Sequence, residues 1–150
     1  MGRTFVGELM AYIAEIRAAW TPRMLSVFRI VVALLYLQHP LAKFFAFPHV
    51  AAFDNLRAFS LIWVAGVIEL VGSLLLLVGL FTRPVAFILS GEMAVAYFML
   101  RPSRGFFPLL NGGEAEVFYC FAFLYLVFAG AGPWSIDHSW RRTAAAGFTK

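Results

Sequence analysis

VAGVIELVGSLLLLVGLFTRP, residues 64–84, sets a single carboxylic acid, Glu69, in a run that is otherwise small or apolar as far as Thr82. A helix crosses roughly 30 Å of hydrocarbon with about 20 mostly apolar residues. An ionised side chain at mid-bilayer costs about 2.5–3.5 kcal/mol on insertion scales. Glu69 is therefore predicted to face protein inside a bundle. Its neighbours three and four positions away agree: Ala65, Gly66, Gly72 and Ser73 are all small, and small residues let a second helix approach closely in a membrane. Glu69 lies about ten residues, or roughly 15 Å, from the outer edge of its span. Glu92 lies at a similar depth in the next.

The rest of the chain has the same character. Of its 150 residues 62% are apolar and 13% charged, against about a quarter charged in a soluble domain, and mean hydropathy is +0.82. Much of the surface must face lipid. The net charge of +4 is scattered in ones and twos, which argues against a nucleic-acid partner and suits anionic lipid headgroups. Cys120, the lone cysteine, excludes an internal disulfide and a CxxC relay and reads as a small buried hydrophobe.

The expected fold is all-α: a polytopic membrane protein, a four-helix transmembrane bundle with spans at about 24–46, 59–81, 84–100 and 114–132. Residues 1–22 place Phe5, Leu9, Tyr12, Ile13, Ile16 and Trp20 at helical spacing with Glu8, Glu15 and Arg17 between them. They read as an amphipathic interfacial helix turning into the first span at Thr21-Pro22, and not as a cleaved signal peptide. The membrane domain covers 23–140, and 141–150 is a basic tail. Phe81-Thr82-Arg83-Pro84 forms a tight turn. No internal repeat is evident. With four spans, Arg3, Arg17, Arg23, Arg83, Arg141, Arg142 and Lys150 share one side, and Arg57, Arg101, Arg104 and Lys43 the other. Seven against four puts both termini in the cytoplasm.

Inside the spans lie Arg29, His39, Lys43, Glu69 and Glu92, two fixed cations against two acids. At 100° per residue Arg29, Tyr36, His39 and Lys43 fall within about an 80° sector of the first span, although Pro40 can kink it; Gln38 lies opposite. Glu69 could meet Arg29 below the midplane or His39 and Lys43 above it. The second arrangement is favoured because it would link the site to Glu114 and Glu116 at the mouth of the fourth span. Either way, His39, Lys43, Glu69 and Glu92 are candidates for a ligand or proton site or, on the plainer reading, for helix fasteners. Arg29 reads as structural, with Asp137 a candidate ion-pair partner for it or for Arg83. Glu114 and Glu116 suit a helix N-terminus, and His138 is expected to be solvated.

One intramembrane His excludes bis-His haem, and no ligand set for zinc or di-iron exists. No GxGxxG, P-loop or GxSxG motif occurs. A bundle with 17 Phe, 5 Tyr and 4 Trp suits a flat, apolar, proton-coupled molecule such as a quinone, and suits lipid contact equally.

Three stretches, FRIVVALLYLQHPLAKFFAFP (28–48), IELVGSLLLLVGLFTRPVAFIL (68–89) and NGGEAEVFYCFAFLYLVFAGAGPWSID (111–137), resemble the DoxX family of small four-helix membrane proteins over roughly residues 26–140. The resemblance rests on Arg29, on His39 and Lys43, on Glu69, Leu70 and Gly72, on Gly79, Leu80, Thr82 and Arg83, and on Gly132, Pro133, Ser135 and Asp137. Pro40, Ser73 and Ile136 depart from it, standing where Gly, Gly and Leu are usual. It implies a bacterial inner-membrane subunit or accessory of a quinone-linked redox system, partnered by a larger membrane complex or by copies of itself. The alternatives are a non-enzymatic structural subunit and, third, a small-molecule transporter.

Overall fold

A computed structural model describes residues 5–101 and 105–147. Arg3, Arg104 and Lys150, counted above for orientation, lie outside them. The described residues form α1 (Phe5–Phe45), a 3-10 turn (Ala51–Phe53), α2 (Leu61–Val78), α3 (Thr82–Leu100), the single turn α4 (Pro108–Asn111), α5 (Glu114–Ala129) and α6 (Ile136–Gly147).

The turn expected at Thr21-Pro22 does not form. Instead α1 runs unbroken for 41 residues through both Pro22 and Pro40. Proline removes one backbone hydrogen bond and crowds the carbonyl four residues back. Ending a helix frees several backbone groups at once, whereas each proline forfeits one hydrogen bond, so running on past proline is the cheaper outcome. Residues 5–24 are exposed throughout, and burial begins at Leu25 and Ser26. They are the first half of α1 and not a separate element.

α1, α2 and α3 are each long and apolar enough to cross a membrane. α5 has 16 residues. It stops short of the expected end at 132 because Gly130 and Gly132 take φ of +84° and +74°. The boundary drawn at residue 141 falls inside a helix: α6 starts at Ile136, where the Ser135 hydroxyl accepts the His138 amide at 3.2 Å, the N-cap arrangement.

The turn between α2 and α3 follows from Gly79. Its φ of +70° places it in the left-handed region, and the Leu80 amide reaches back to the Leu75 carbonyl at 2.9 Å, the glycine-dependent helix stop. α1 packs on α2, α2 on α3 and α3 on α5, and α5 meets α1 to close the ring. Tyr36, Leu76, Leu89, Phe123 and Leu126 fill the centre. Leu34, Leu35, Val71, Leu74, Phe87 and Phe121 point outward and are exposed, as lipid-facing residues must be.

Candidate functional site

Two polar clusters occupy opposite ends of the bundle. At the end nearer α4, Lys43 in the last turn of α1 meets Glu69 of α2, Nζ to Oε2 at 2.5 Å, with the two side chains 8% and 6% exposed. This answers which base the acid meets. The small residues around Glu69 make the approach feasible: a Cβ on Gly66 would lie 2.9 Å from the Phe44 ring and 3.1 Å from Lys43 Cδ. The Lys43 ammonium also stands 5.8 Å from the Phe53 ring centroid, within cation–π range.

Tyr36, about one turn before Pro40 on the same helix, donates its hydroxyl to Glu92 Oε2 at 3.5 Å. The other carboxyl oxygen of Glu92 is buried with no hydrogen-bond partner. His39 does not join the polar contacts among the described residues. Its exposed ring leans on Tyr36, at a centroid distance of 5.6 Å, and on Tyr119 of α5, at 5.9 Å. Tyr119 in turn lies 5.0 Å from Tyr36 and stacks on Phe123. The sequence alone does not single out Tyr119. Its signal is positional, three residues after Glu116 and four before Phe123, on one face of α5.

Beside this cluster, Arg101 Nε donates to Glu116 Oε1 at 3.0 Å, tying the end of α3 to the start of α5. Glu116 thus does more than complement a helix dipole, and its Oε2 is buried without a partner. Glu114, in the first turn of α5, is exposed, the position that suits the macrodipole.

At the opposite end Arg29 is fully buried, 0% exposed. Its guanidinium donates to the carbonyls of Ala131 at 2.9 Å, Leu77 at 2.8 Å and Trp134 at 2.6 Å, and also to that of Leu76. A planar donor with five N–H groups suits several fixed acceptors at once, and the C-terminal carbonyls of α2 attract a cation. Gly79 makes room: a Cβ there would stand 3.0 Å from Arg29 Cζ and 2.4 Å from Ser135 Cβ.

Arg29, Arg83 and Asp137 form no ion pair with one another among the described residues, which corrects that expectation. The Asp137 carboxylate accepts the amides of Phe81 at 2.8 Å and Thr82 at 2.9 Å, donors left free at the start of α3. Arg83 Nη2 donates to the Phe128 carbonyl at 3.3 Å. In each case backbone groups at a helix end outcompete a side-chain partner. His138 is exposed.

The DoxX family model matches residues 24–102. A relative from Haemophilus influenzae, described as an uncharacterized protein, is 48% identical over 123 residues, covering 79% of this chain and 92% of the relative. The chain belongs to the DoxX family. No solved structure matches it. Family membership and the three long apolar helices together make it a membrane protein. The matched DoxX segment carries Arg29, Tyr36, His39, Lys43, Glu69, Arg83 and Glu92, whereas Glu116, Tyr119 and Asp137 come from the chain beyond it. Both clusters are therefore built across the edge of that segment, by α5 at one end and by the α5–α6 connection at the other.

Proposed function

We propose that this DoxX protein is a bacterial inner-membrane protein of four spans, α5 with its flanks being the fourth and both termini cytoplasmic, that serves as a subunit or accessory of a quinone-linked redox system. Its ligand and proton site is the cluster of Lys43, Glu69, Tyr36 and Glu92, rimmed by His39 and Tyr119. The observation that carries this reading is Glu92 Oε1, an acid oxygen buried in the bundle with no partner. Unsatisfied buried polar atoms are few in folded proteins, and a redox or catalytic role is one of the explanations for such an atom. The exposed His39 ring and Tyr119 give a flat head group an aromatic wall beside that acid. When bound, a quinone would carry electrons and protons between partners. The residues of this chain hold the head group and exchange a proton at Glu92, with Tyr36 orienting its carboxyl and Lys43 keeping Glu69 in place.

Purification from native membranes in mild detergent, with quinone assayed in the organic extract, tests the proposal. Close to one quinone per chain is expected, lost in Glu92→Gln and reduced in Glu69→Gln. A stable partner complex with no quinone in wild type would refute it. The second reading, a structural subunit, is favoured by the closure of the Lys43–Glu69 pair, which leaves both side chains under a tenth exposed.

A further inference from the structure

A cavity of about 430 Å³ lies at the Arg29 end, between α1, the end of α5 and the first turns of α6. Its volume is within the range of about 300–1,000 Å³ of small-molecule sites. One wall is apolar, from Pro22, Leu25 and Ala129, and the other carries Arg83, His138 and Arg141. We propose that this cavity binds a phosphate oxyanion through Arg83 and Arg141, and that the phosphate is that of an anionic membrane lipid.

Three observations support the charge preference. Arg83 makes a single hydrogen bond, from Nη2 to a carbonyl at 3.3 Å, which leaves most of its donors unspent. Arg141 is exposed and makes no side-chain hydrogen bond or ion pair among the described residues. Asp137 also lines the cavity, but both its oxygens are turned to the amides of Phe81 and Thr82. Two guanidinium groups therefore face the cavity against one carboxylate already engaged. The first turn of α6, a helix of 12 residues, contributes to the same wall, and its positive dipole end adds to the field.

The lipid source follows from depth and lining. Trp20, Trp134 and Trp140 lie within two residues of lining positions and are 52%, 53% and 56% exposed. Tryptophans so placed mark the headgroup level of a bilayer. A free phosphate has no use for the Pro22–Leu25–Ala129 wall, whereas the glycerol and upper acyl chain of a lipid do.

Native mass spectrometry of the full chain in mild detergent tests this, with phosphatidylglycerol and phosphatidylcholine offered in turn. One phosphatidylglycerol per chain is expected, bound more tightly than phosphatidylcholine. The double variant Arg83→Gln/Arg141→Gln is expected to bind it roughly 30-fold more weakly, at about a factor of five for each arginine. Arg83→Lys/Arg141→Lys keeps the charges and should keep most of the binding, which separates loss of the site from loss of the fold. Arg57→Gln, at the other end of the bundle, should bind as wild type does. Displacement of the lipid by excess inorganic phosphate would support the oxyanion site and assign it to a soluble phosphate, overturning the lipid source. Equal binding of the two lipids, or an unchanged Gln double variant, would overturn the site itself.

Discussion

Removing the cation from the Lys43–Glu69 pair, and then both charges, separates a site from a fastener. In Lys43→Met the Glu69 carboxyl, 6% exposed, loses the ammonium 2.5 Å away. In a soluble interior, breaking a buried pair on one side costs about 3–5 kcal/mol, while replacing both members by apolar groups of similar volume is often neutral. The figure in lipid is lower, because helices that come apart there stay inserted and find other partners; interhelical hydrogen bonds in membranes are worth about 0.6–2 kcal/mol. A loss of about 2 kcal/mol is therefore expected for Lys43→Met, with Lys43→Met/Glu69→Met recovering to within about 1 kcal/mol of wild type. Unfolding by SDS in mixed micelles, followed by tryptophan fluorescence, measures both, and Trp63, 5.9 Å from the Phe44 ring, is a local reporter. Two losses that simply add would refute the pairing. With the cycle as expected, a stable double variant that loses its bound quinone or its partner complex marks the pair as functional. One that keeps both marks it as a fastener.

Two other perturbations test the opposite end. Arg29→Met strips the buried Ala131 carbonyl and the part-buried Leu77 and Trp134 carbonyls of the donor they share, so the same SDS titration should show a loss of about 3–5 kcal/mol, each orphaned group costing about 1–3; Arg29→Lys, with three donors on a point charge, should recover only part of it. Asp137→Asn leaves one oxygen for two amides, Phe81 and Thr82, and hydrogen exchange there should quicken roughly fivefold, the equivalent of about 1 kcal/mol for a weakened cap.

The helices were legible because hydrocarbon imposes a crude requirement, an apolar run of fixed length, and the face of Glu69 was legible because four small neighbours admit only a close contact. Gly66 indeed opens the way for Lys43, and a Cβ on Gly72 would lie 2.8 Å from the Leu89 side chain of α3. The choice of Lys43 over Arg29 depends on relative depth along two helices, and a helical wheel fixes only angle. His39 shows the same limit: it shares the sector of Lys43, yet its ring rests on Tyr36 and Tyr119. Thr21-Pro22 predicts a break, but the helix runs on because one lost hydrogen bond costs less than a freed helix end. α6 carries no apolar run to announce it, because Ile136–Gly147 is polar in composition, although Ser135 at its cap is a local signal.

The two clusters differ in what their polar groups bind, and that difference bears on where the molecule can act. Around Arg29 and Asp137 the acceptors and donors are backbone groups at helix ends, so releasing either side chain leaves backbone groups unpaired at the end of α2 or the start of α3. That end is a fixed joint, and any lipid held beside it sits on a rigid frame. Around Lys43 the contacts run from side chain to side chain, and two acid oxygens, Glu92 Oε1 and Glu116 Oε2, are buried with no partner. Rotamer changes alone can re-pair such groups. A ligand, a proton or a partner helix that supplies one donor would satisfy an unpaired acid oxygen at the α4 end, whereas at the Arg29 end it would compete with bonds that backbone groups already hold.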